Sequence, residues 1–268
     1  MKILFQHLRE TDNIGDRWCS PYDYYDWSCL ESSFFESVSV KDVNVPTDID
    51  YDVGIYGGGK IFGSLVRAPG VLKRGRRLHV AWGVGTTRKQ RISWRHMRAG
   101  FLMNLVGSRD YGHDNYHFAP CVSCLSPLFD INYDKKNETV FYYHDVKVGE
   151  ASFDVPPEVP RMSNHSASLS EAIRFLGSGN TIITNSYHGA YWGLLLGRRV
   201  VCVPFSSKFF YFRLKPFYAS PENCYRERHR AIRQPEMLGL CREATNVFRL
   251  EVHKTVEAFV NARRRRGT

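Results

Sequence analysis

Short apolar segments that end in glycine or in polar residues recur along the sequence, and amphipathic stretches separate them. The apolar segments include KILFQ, DVGIYGGG, RLHVAWGVG and TVFYYHD. One separating stretch, SASLSEAIRFLG, has capping-box spacing at Ser168 and Glu171 and an apolar face of helical period. Strands that alternate with helices indicate a mostly parallel sheet with helices on both faces. We therefore predict an α/β fold.

This pattern occurs twice, and the polar segment INYDKKNE separates the two occurrences. A chain of 268 residues is long enough to form two domains. We predict one domain over residues 1–134 and another over residues 135–268, which ends in a helix with Val252, Val256 and Phe259 on one face. Ligands of parallel sheets bind beyond the carboxyl ends of the strands. The glycine turns that follow the strands should therefore lie at the binding edge.

Hydropathy and cysteine content exclude several classes of protein. The sequence lacks an apolar run of ~18 residues, which a transmembrane helix requires, and its start becomes charged too early for a signal peptide. We expect a cytoplasmic protein with free thiols. The seven cysteines are scattered, and the single C-x-x-C pair, Cys121 and Cys124, has no second pair with which to bind zinc. We expect neither a bound metal nor a cofactor.

Positive charge is distributed unevenly. The net charge is +10, and residues 135–268 carry 21 Lys and Arg against 12 Asp and Glu. In the first half, Leu72–Arg98 carries nine basic residues and no acidic one. A basic surface attracts phosphates, anionic lipids or nucleic acid. Because the sequence has no nucleic-acid-binding signature, we expect no nucleic-acid partner, and each basic cluster is either solvated surface or an anion-binding surface.

The segment TNSYHGAYWGLLLG sets a histidine between a strand and a helix. The strand ends near Thr184, His188 stands at the expected start of an apolar helix, and Gly197 should end that helix. A helix N-terminus favours an anion, Ser186 can cap the helix or donate to a ligand, and Gly189 lets a ligand approach the backbone. His188 is then either an acid–base residue in an anion site or a histidine packed at a turn.

Other turns follow predicted strands and have two interpretations each. NIGD offers Asn13 and Asp16 either as helix caps or as polar groups for a sugar. GGGK lacks P-loop spacing and is either a tight turn or a close approach of backbone to a ligand. Arg109 and Lys208 either bind an anion or are exposed. The aromatic residues Tyr22, Tyr24, Tyr25 and Trp27 either stack on sugars or pack, and we expect packing.

In their order and spacing, these segments resemble the polysaccharide pyruvyl transferase family. The matching pieces are NIGD, YGGGKIFG, WGVGT, GSRDYG and TNSYHGAYWGLLLGRRVVCVP followed by Lys208, and they span Asn13–Lys208. The family's histidine maps onto His188, and Tyr187 stands where an arginine often precedes it. The resemblance implies two Rossmann-like domains, similar to the GT-B glycosyltransferase arrangement, with the active site in an interdomain cleft.

The resemblance also implies a reaction. Members transfer pyruvate from the co-substrate phosphoenolpyruvate to two hydroxyls of a sugar in a surface-polysaccharide or exopolysaccharide repeat, often on a lipid carrier. His188 would act as acid and base or would hold the leaving phosphate, with the first domain facing the acceptor and the second facing the donor. The implied donor contacts are Ser186, Tyr187, Gly189, Arg109 and Lys208. The implied acceptor contacts are Asn13, Gly15, Asp16, Gly57, Gly58, Gly59 and His144.

Two other functions are compatible with the same sequence. One is a GT-B-type glycosyltransferase that uses a sugar nucleotide, since a fold does not fix its chemistry. The other is a non-catalytic member that binds a glycan. For a pyruvyl transferase, either Leu72–Arg98 or the arginine tail would contact a lipid diphosphate or the anionic inner face of the membrane.

Overall fold

The chain divides into two compact units. The computed structural model describes residues 1–30, 34–39, 51–59, 61, 62, 77–85, 98, 100–145, 153–165 and 168–266. The first unit comprises Met1–Thr11, Asp16–Ser123 and Arg242–Thr268, and the second comprises Asp12–Gly15 and Cys124–Cys241. Each unit contains its own parallel sheet, which confirms the mixed α/β class.

The first sheet is parallel and has the order β2-β1-β3-β4-β5-β6. Its strands are β1 (Lys2–His7), β2 (Phe34–Ser39), β3 (Val53–Gly57), β4 (Leu78–Val84), β5 (Leu105–Ser108) and β6 (His117–Phe118). Every residue of β3 and β4 is buried, because a central parallel strand is covered on both faces. The order reverses between β1 and β3, which makes that position the topological switch point of the first sheet.

The second sheet is also parallel and has the order β8-β7-β9-β10-β11. Its strands are β7 (Asn137–Tyr143), β8 (Arg161–Ser163), β9 (Gly179–Thr184), β10 (Arg199–Cys202) and β11 (Phe217–Tyr218). The order reverses between β7 and β9. The carboxyl ends of these two neighbouring strands are therefore where a ligand of the second sheet is expected.

The helices with described bounds are α1 (Ile14–Arg17), α2 (Leu169–Ser178), α3 (Tyr187–Leu195) and α4 (Met237–Arg266). The predicted capping box of α2 is confirmed. The Glu171 backbone N–H donates to Ser168 Oγ at 3.2 Å, and the Ser168 backbone N–H donates to Glu171 Oε2 at 3.1 Å. Both interactions satisfy donors that the first helical turn would otherwise leave unpaired.

The C-terminal helix packs in the core of the first unit. Phe248, Val252 and Val256 are buried in one cluster with β-strand residues such as Ile3 and Trp82. The predicted apolar face is therefore confirmed, and so is its extension to Phe259, which packs against the same cluster. The predicted assignment of this helix to a domain of residues 135–268 was wrong, because its apolar face meets the first sheet.

The other boundaries also differ from the division at residue 134. The second unit begins at Cys124, before β7, because the turns that precede β7 pack with it. Asn13 and Gly15 belong to the second unit rather than the first, whereas Asp16 belongs to the first. The predicted acceptor residues of NIGD are thus divided between the units.

Three further expectations concern the whole chain. Within the described part of the chain, no helix has both the length and the apolar character needed to cross a membrane. The six cysteines with described side chains are buried thiols that form no disulfide with one another. Most of the basic stretch Leu72–Arg98 lies outside the described residues. In the arginine tail, Arg263–Arg265 are exposed at the end of α4.

Candidate functional site

The predicted histidine turn follows β9 at the topological switch point of the second sheet. The chain leaves β9 through Asn185 and Ser186 and enters α3 at Tyr187. The next strand across the switch, β7, ends just before His144, and the His144 backbone N–H donates to Asn185 Oδ1 at 2.8 Å. This hydrogen bond ties the ends of the two strands together where a ligand is expected.

Ser186 is the N-cap of α3. Its Oγ accepts from the Gly189 backbone N–H at 3.3 Å, and its own backbone N–H donates to Thr184 Oγ1 at 2.9 Å. The capping alternative is therefore the one observed for Ser186. The cap fixes the orientation of the first turn of α3, whose positive end favours a nearby negative charge.

Gly189 lets α3 begin directly against the sheet. A Cβ atom at this position would lie 2.5 Å from Thr184 Oγ1 and 2.6 Å from Tyr142 Cδ1. Since any larger residue would push the helix away from β9 and β7, the requirement for glycine comes from packing within the unit. This packing contact does not test the prediction that Gly189 gives a ligand access to the backbone.

His188 is buried in the first turn of α3. Its side chain is 4% exposed, and its ring lies 5.3 Å from the Trp192 ring and 5.5 Å from the Tyr187 ring, measured between centroids. On another side lies Gly15, where a Cβ atom would come within 2.0 Å of His188 Nδ1. The second unit therefore holds the imidazole in a fixed position by contacts with its own chain.

The NIGD segment joins this site through its first residues. The Ile14 backbone N–H donates to the carbonyl oxygen of Asn164 at 3.1 Å. The Gly15 backbone N–H donates to Asn13 Oδ1 at 3.2 Å. Asn13 therefore has the structural capping role that was one of its two alternatives, and Gly15 is small because His188 lies against it.

Lys208 lies among aromatic rings in the same unit. Its Nζ lies 4.8 Å from the centroid of the Phe205 ring and 6.0 Å from that of Tyr187. Phe205 also contacts His144, with 5.9 Å between the ring centroids. Tyr187 stacks on Phe212 at 4.8 Å. An ammonium group over aromatic faces is held there by the attraction between a cation and the ring, and Lys208 is only half-buried.

Four neighbouring polar residues were not predicted from the sequence. Asn185, Asn164, His165 and Asp145 all follow strands of the second sheet. Asn164 Oδ1 accepts from the Asp145 backbone N–H at 3.0 Å, whereas its buried Nδ2 has no hydrogen-bond partner among the described residues. The His165 ring lies 5.7 Å from that of His144. Asn185 stands inside the quoted histidine segment, but β8 is too short to have drawn attention to Asn164.

A second group of predicted residues meets within the first unit. A Cβ atom on Gly59 would lie 3.3 Å from Asp16 Oδ1, and one on Gly85 would lie 3.2 Å from the Arg109 guanidinium. The two glycines are joined, because the Gly85 backbone N–H donates to the Gly59 carbonyl oxygen at 2.9 Å. Arg109 is buried and not exposed. A carboxylate and a buried guanidinium therefore flank one pair of glycines beyond β3 and β4.

The charges of this group act on a nearby buried thiol. Burial raises the pKa of Cys19 well above its usual range, the Asp16 carboxylate adds to the increase, and the Arg109 guanidinium opposes it. Cys19 also fills the space beside two glycines of the GGGK turn. A Cβ atom on Gly58 would lie 2.1 Å from Cys19 Sγ, and one on Gly57 would lie 2.9 Å from Pro21 Cδ. For Gly57 and Gly58 the structure therefore supports the tight-turn alternative.

The predicted residues thus fall into two groups. The second unit brings together Asn13, Gly15, His144, Ser186, Tyr187, His188, Gly189 and Lys208, and the first unit holds Asp16, Gly57, Gly58, Gly59 and Arg109. Among the described residues, no group of three or more His, Cys, Asp or Glu side chains is arranged to hold a metal ion. The group in the second unit offers a helix start, an imidazole and an ammonium group, which are the elements of an anion site.

Comparison with known proteins gives little further guidance. No family model matches the sequence, and no curated protein matches it. One solved structure that aligns with the chain is described as a "putative UDP-N-acetylglucosamine 2-epimerase" from Listeria monocytogenes. The two chains share 11% sequence identity, the alignment covers 78% of this chain and 80% of that chain, and the TM-score is 0.44.

Proposed function

We propose that the protein transfers pyruvate from phosphoenolpyruvate to two hydroxyls of a sugar in a surface polysaccharide or exopolysaccharide repeat. The observation that carries this proposal is the grouping of Ser186, His188 and Lys208 at the switch point of the second sheet. Phosphoenolpyruvate carries a carboxylate and a phosphate, and a helix start and an ammonium group are suited to both. The proposal includes two Rossmann-like domains of the GT-B type.

The reaction needs an acid first and a base later. A proton is added to the methylene carbon of phosphoenolpyruvate, which leaves an oxocarbenium-like centre at C2. One sugar hydroxyl attacks C2, inorganic phosphate leaves with its bonding electron pair, and the second hydroxyl closes the cyclic ketal. A histidine whose pKa lies near the ambient pH can give the proton and take one back. We assign this role, or the holding of the leaving phosphate, to His188.

Two further side chains support the donor site. Lys208 would attract the phosphate or the carboxylate, because its ammonium group lies beside Tyr187 and Phe205 in the same unit. The buried Nδ2 of Asn164, which has no hydrogen-bond partner in the described part of the chain, would donate to a substrate oxygen, because a buried amide donor gains most from an acceptor that can reach it. Tyr187 would line the site through its stacked ring.

The central test is phosphate release from phosphoenolpyruvate in the presence of a lipid-linked oligosaccharide extract, with mass analysis for the added pyruvate. His188→Ala should abolish phosphate release and leave the far-UV circular dichroism unchanged. His229→Ala is the matched control, because His229 belongs to the same unit and its ring contacts only the local backbone of Arg226 among the interactions described. Near-normal turnover in His188→Ala would remove His188 from the mechanism.

A second test addresses the donor phosphate. Lys208→Met keeps most of the apolar stem and removes the charge, so the KM for phosphoenolpyruvate should rise by about tenfold or more, which corresponds to one charged hydrogen bond. Lys215→Met is the matched control, because Lys215 is exposed in the same unit. Equal KM values for the two variants would mean that Lys208 does not contact the donor.

The burial of His188 favours a second candidate, a non-catalytic protein that binds a glycan. A side chain that is 4% exposed is typical of a histidine that packs at a turn. Thermal-shift measurements with phosphoenolpyruvate and with several sugar nucleotides separate the candidates. Stabilisation by phosphoenolpyruvate with turnover supports the transferase, stabilisation by a sugar nucleotide alone supports a glycosyltransferase, and stabilisation by a glycan without turnover supports the binding protein.

The proposed acceptor also bears on where the protein acts. A lipid-linked acceptor would be met at the inner, cytoplasmic face of a membrane. Arg263–Arg265 are exposed on α4, and basic residues near an anionic leaflet contribute about 1 kcal/mol each. We propose that this arginine tail provides the peripheral contact.

A further inference from the structure

A cavity of about 440 Å³ lies in the first unit beyond the carboxyl end of β1. It is lined by His7, Arg9, Glu10, Arg17, Trp18, Tyr22 and Asp23. His7 is buried, whereas Arg9, Glu10 and Tyr22 are exposed, so the cavity is open to solvent. β1 is one of the two strands at the switch point of the first sheet, where ligands of parallel sheets bind.

The charges around the cavity balance one another. The lining contains the guanidinium groups of Arg9 and Arg17 and the carboxyl groups of Glu10 and Asp23. Arg17 also donates to the Thr11 carbonyl oxygen at 2.9 Å, which holds its side chain beside the loop that follows β1. Two carboxylates repel a phosphate or a nucleotide, whereas donors and acceptors together suit a neutral ligand that carries several hydroxyls.

The aromatic residues near this cavity differ in how far they are buried. Trp27 is buried in the core, and Tyr24 and Tyr25 pack against the same core. Tyr22 instead lines the cavity with 41% of its side chain exposed and packs one side against Phe5, with 5.3 Å between the ring centroids. A supported, exposed aromatic ring can stack on the apolar C–H face of a sugar.

The histidine in the cavity is uncharged at neutral pH. Burial and, to a smaller extent, the Arg9 guanidinium lower the pKa of His7 to about 4, although a hydrogen bond with the Arg17 backbone acts in the opposite direction. One nitrogen of the neutral imidazole makes the hydrogen bond with the Arg17 backbone, which leaves the other nitrogen to bind a hydroxyl group. The lining therefore combines a stacking ring, a neutral imidazole and paired charges.

We propose that this cavity binds one neutral pyranose residue, with Tyr22 stacked on the ring and with Asp23 and Arg9 bound to its hydroxyls. A cavity of this size is within the range of small-molecule sites. The further statement that the bound sugar is part of the acceptor glycan rests on the proposed function. The binding itself requires neither phosphoenolpyruvate nor turnover, and the experiment uses this independence.

The test is saturation-transfer difference NMR of the full-length protein with methyl glycosides of glucose, galactose and mannose, without phosphoenolpyruvate, and with glucose 1-phosphate as the charged comparison. At least one neutral glycoside should bind, and glucose 1-phosphate should bind more weakly. Tyr22→Ala should weaken binding of that glycoside by about tenfold, through loss of the stacking ring. Tyr111→Ala is the matched control, because Tyr111 is also an exposed tyrosine of the first unit (44%) whose ring packs on a phenylalanine, Phe118.

A second pair of variants tests the cavity even if Tyr22→Ala fails to fold. Asp23→Asn should weaken glycoside binding, whereas Asp26→Asn, an exposed neighbour outside the cavity lining, should leave it unchanged. No signal from any neutral glycoside, equal binding by both members of a pair, or preference for glucose 1-phosphate would overturn the inference. Glycoside binding that depends on Tyr22 in a protein without pyruvyl transfer would support the cavity and refute only the proposed function. Pyruvyl transfer that is unaffected by Tyr22→Ala and Asp23→Asn would refute the assignment of the cavity to the acceptor glycan and leave the proposed function intact.

Discussion

Replacing Gly15 by alanine should displace the His188 side chain. The new Cβ atom would lie 2.0 Å from His188 Nδ1, 2.2 Å from Cγ and 2.7 Å from Cβ, whereas nonbonded heavy atoms rest ~3.5–4.0 Å apart. The imidazole must therefore move by roughly 1.5 Å to restore ordinary contact. It cannot do so freely, because it is buried beside the rings of Trp192 and Tyr187.

The expected cost can be worked from these contacts. Overpacking of a buried site typically costs about 1–3 kcal/mol. Alanine in a helix offsets part of this, because it is favoured over glycine by up to ~1 kcal/mol. Gly15→Ala should therefore lower the free energy of unfolding by about 1–2 kcal/mol. If His188 acts in catalysis, its displacement should also lower kcat by about 10²-fold, since positioning errors of ~1 Å have effects of this size.

The assay compares urea unfolding and phosphate release for the wild type, Gly15→Ala and a matched control. Gly239→Ala serves as the control, because Gly239 belongs to the same unit, lies in α4 and has no heavy atom within 4 Å of its Cβ position in the described structure. The control should be as stable as the wild type, or more stable by up to ~1 kcal/mol. Its turnover should not change.

Equal unfolding midpoints for Gly15→Ala and Gly239→Ala would refute the close approach of Gly15 to His188. A destabilised Gly15→Ala protein with normal turnover would have a different meaning. In that case the contact would exist, but His188 would serve packing alone, which is the alternative interpretation of a histidine at a turn.

Three other perturbations have defined outcomes. His7 has a pKa of about 4 in the folded state against 6.5 in the unfolded chain. Its contribution to stability should therefore be present above pH 6.5 and should fall by up to ~3 kcal/mol as the pH drops toward 4. The free energy of unfolding, measured with urea across this pH range, should decline less steeply in His7→Gln. Ser168→Ala removes half of a capping box and should cost about 1 kcal/mol in urea unfolding. Arg264→Glu combined with Arg265→Glu should weaken sedimentation with anionic vesicles, and wild-type binding to anionic vesicles that is no stronger than to neutral ones would refute membrane contact through the arginine tail.

The sequence predicted the long buried strands and missed the short ones. β1, β3, β4, β7 and β9 contain runs of apolar residues that no exposed element would carry, so the pattern alone identifies them. β6, β8 and β11 have two or three residues each, and their extended conformation depends on pairing with a neighbour. β2 is longer, but its residues follow an aromatic run whose periodicity is ambiguous. Its partner, β1, lies about 30 residues earlier in the chain.

The sequence predicted the apolar face of α4 but not the surface that it covers. An amphipathic pattern states that one face is buried, whereas the choice of partner depends on the shape of a surface built by distant residues. Phe248 contacts Trp82, with 5.0 Å between ring centroids, although 166 positions separate them in the sequence. For the same reason the grouping of Asn13 and Gly15 with His188 was not predictable from strand order. It depends on the Ile14 backbone N–H, which donates to the carbonyl oxygen of Asn164, a residue far along the chain.

The glycine turns show why sequence motifs only partly defined the site. A glycine is required wherever something approaches the backbone closely, but the sequence does not say whether that neighbour is a ligand or the protein itself. At Gly58 the neighbour is Cys19, and at Gly189 it is Thr184, so these two positions are explained by packing within a unit. Gly59 and Gly85 differ, because their nearest neighbours are the charged ends of Asp16 and Arg109. Charged groups beside glycine backbone are common components of a binding site for a polar ligand. In the first unit, alanine at Gly85 should therefore affect substrate binding more than alanine at Gly58, where the positive φ of +47° and the contact with Cys19 mean that any side chain should lower the stability.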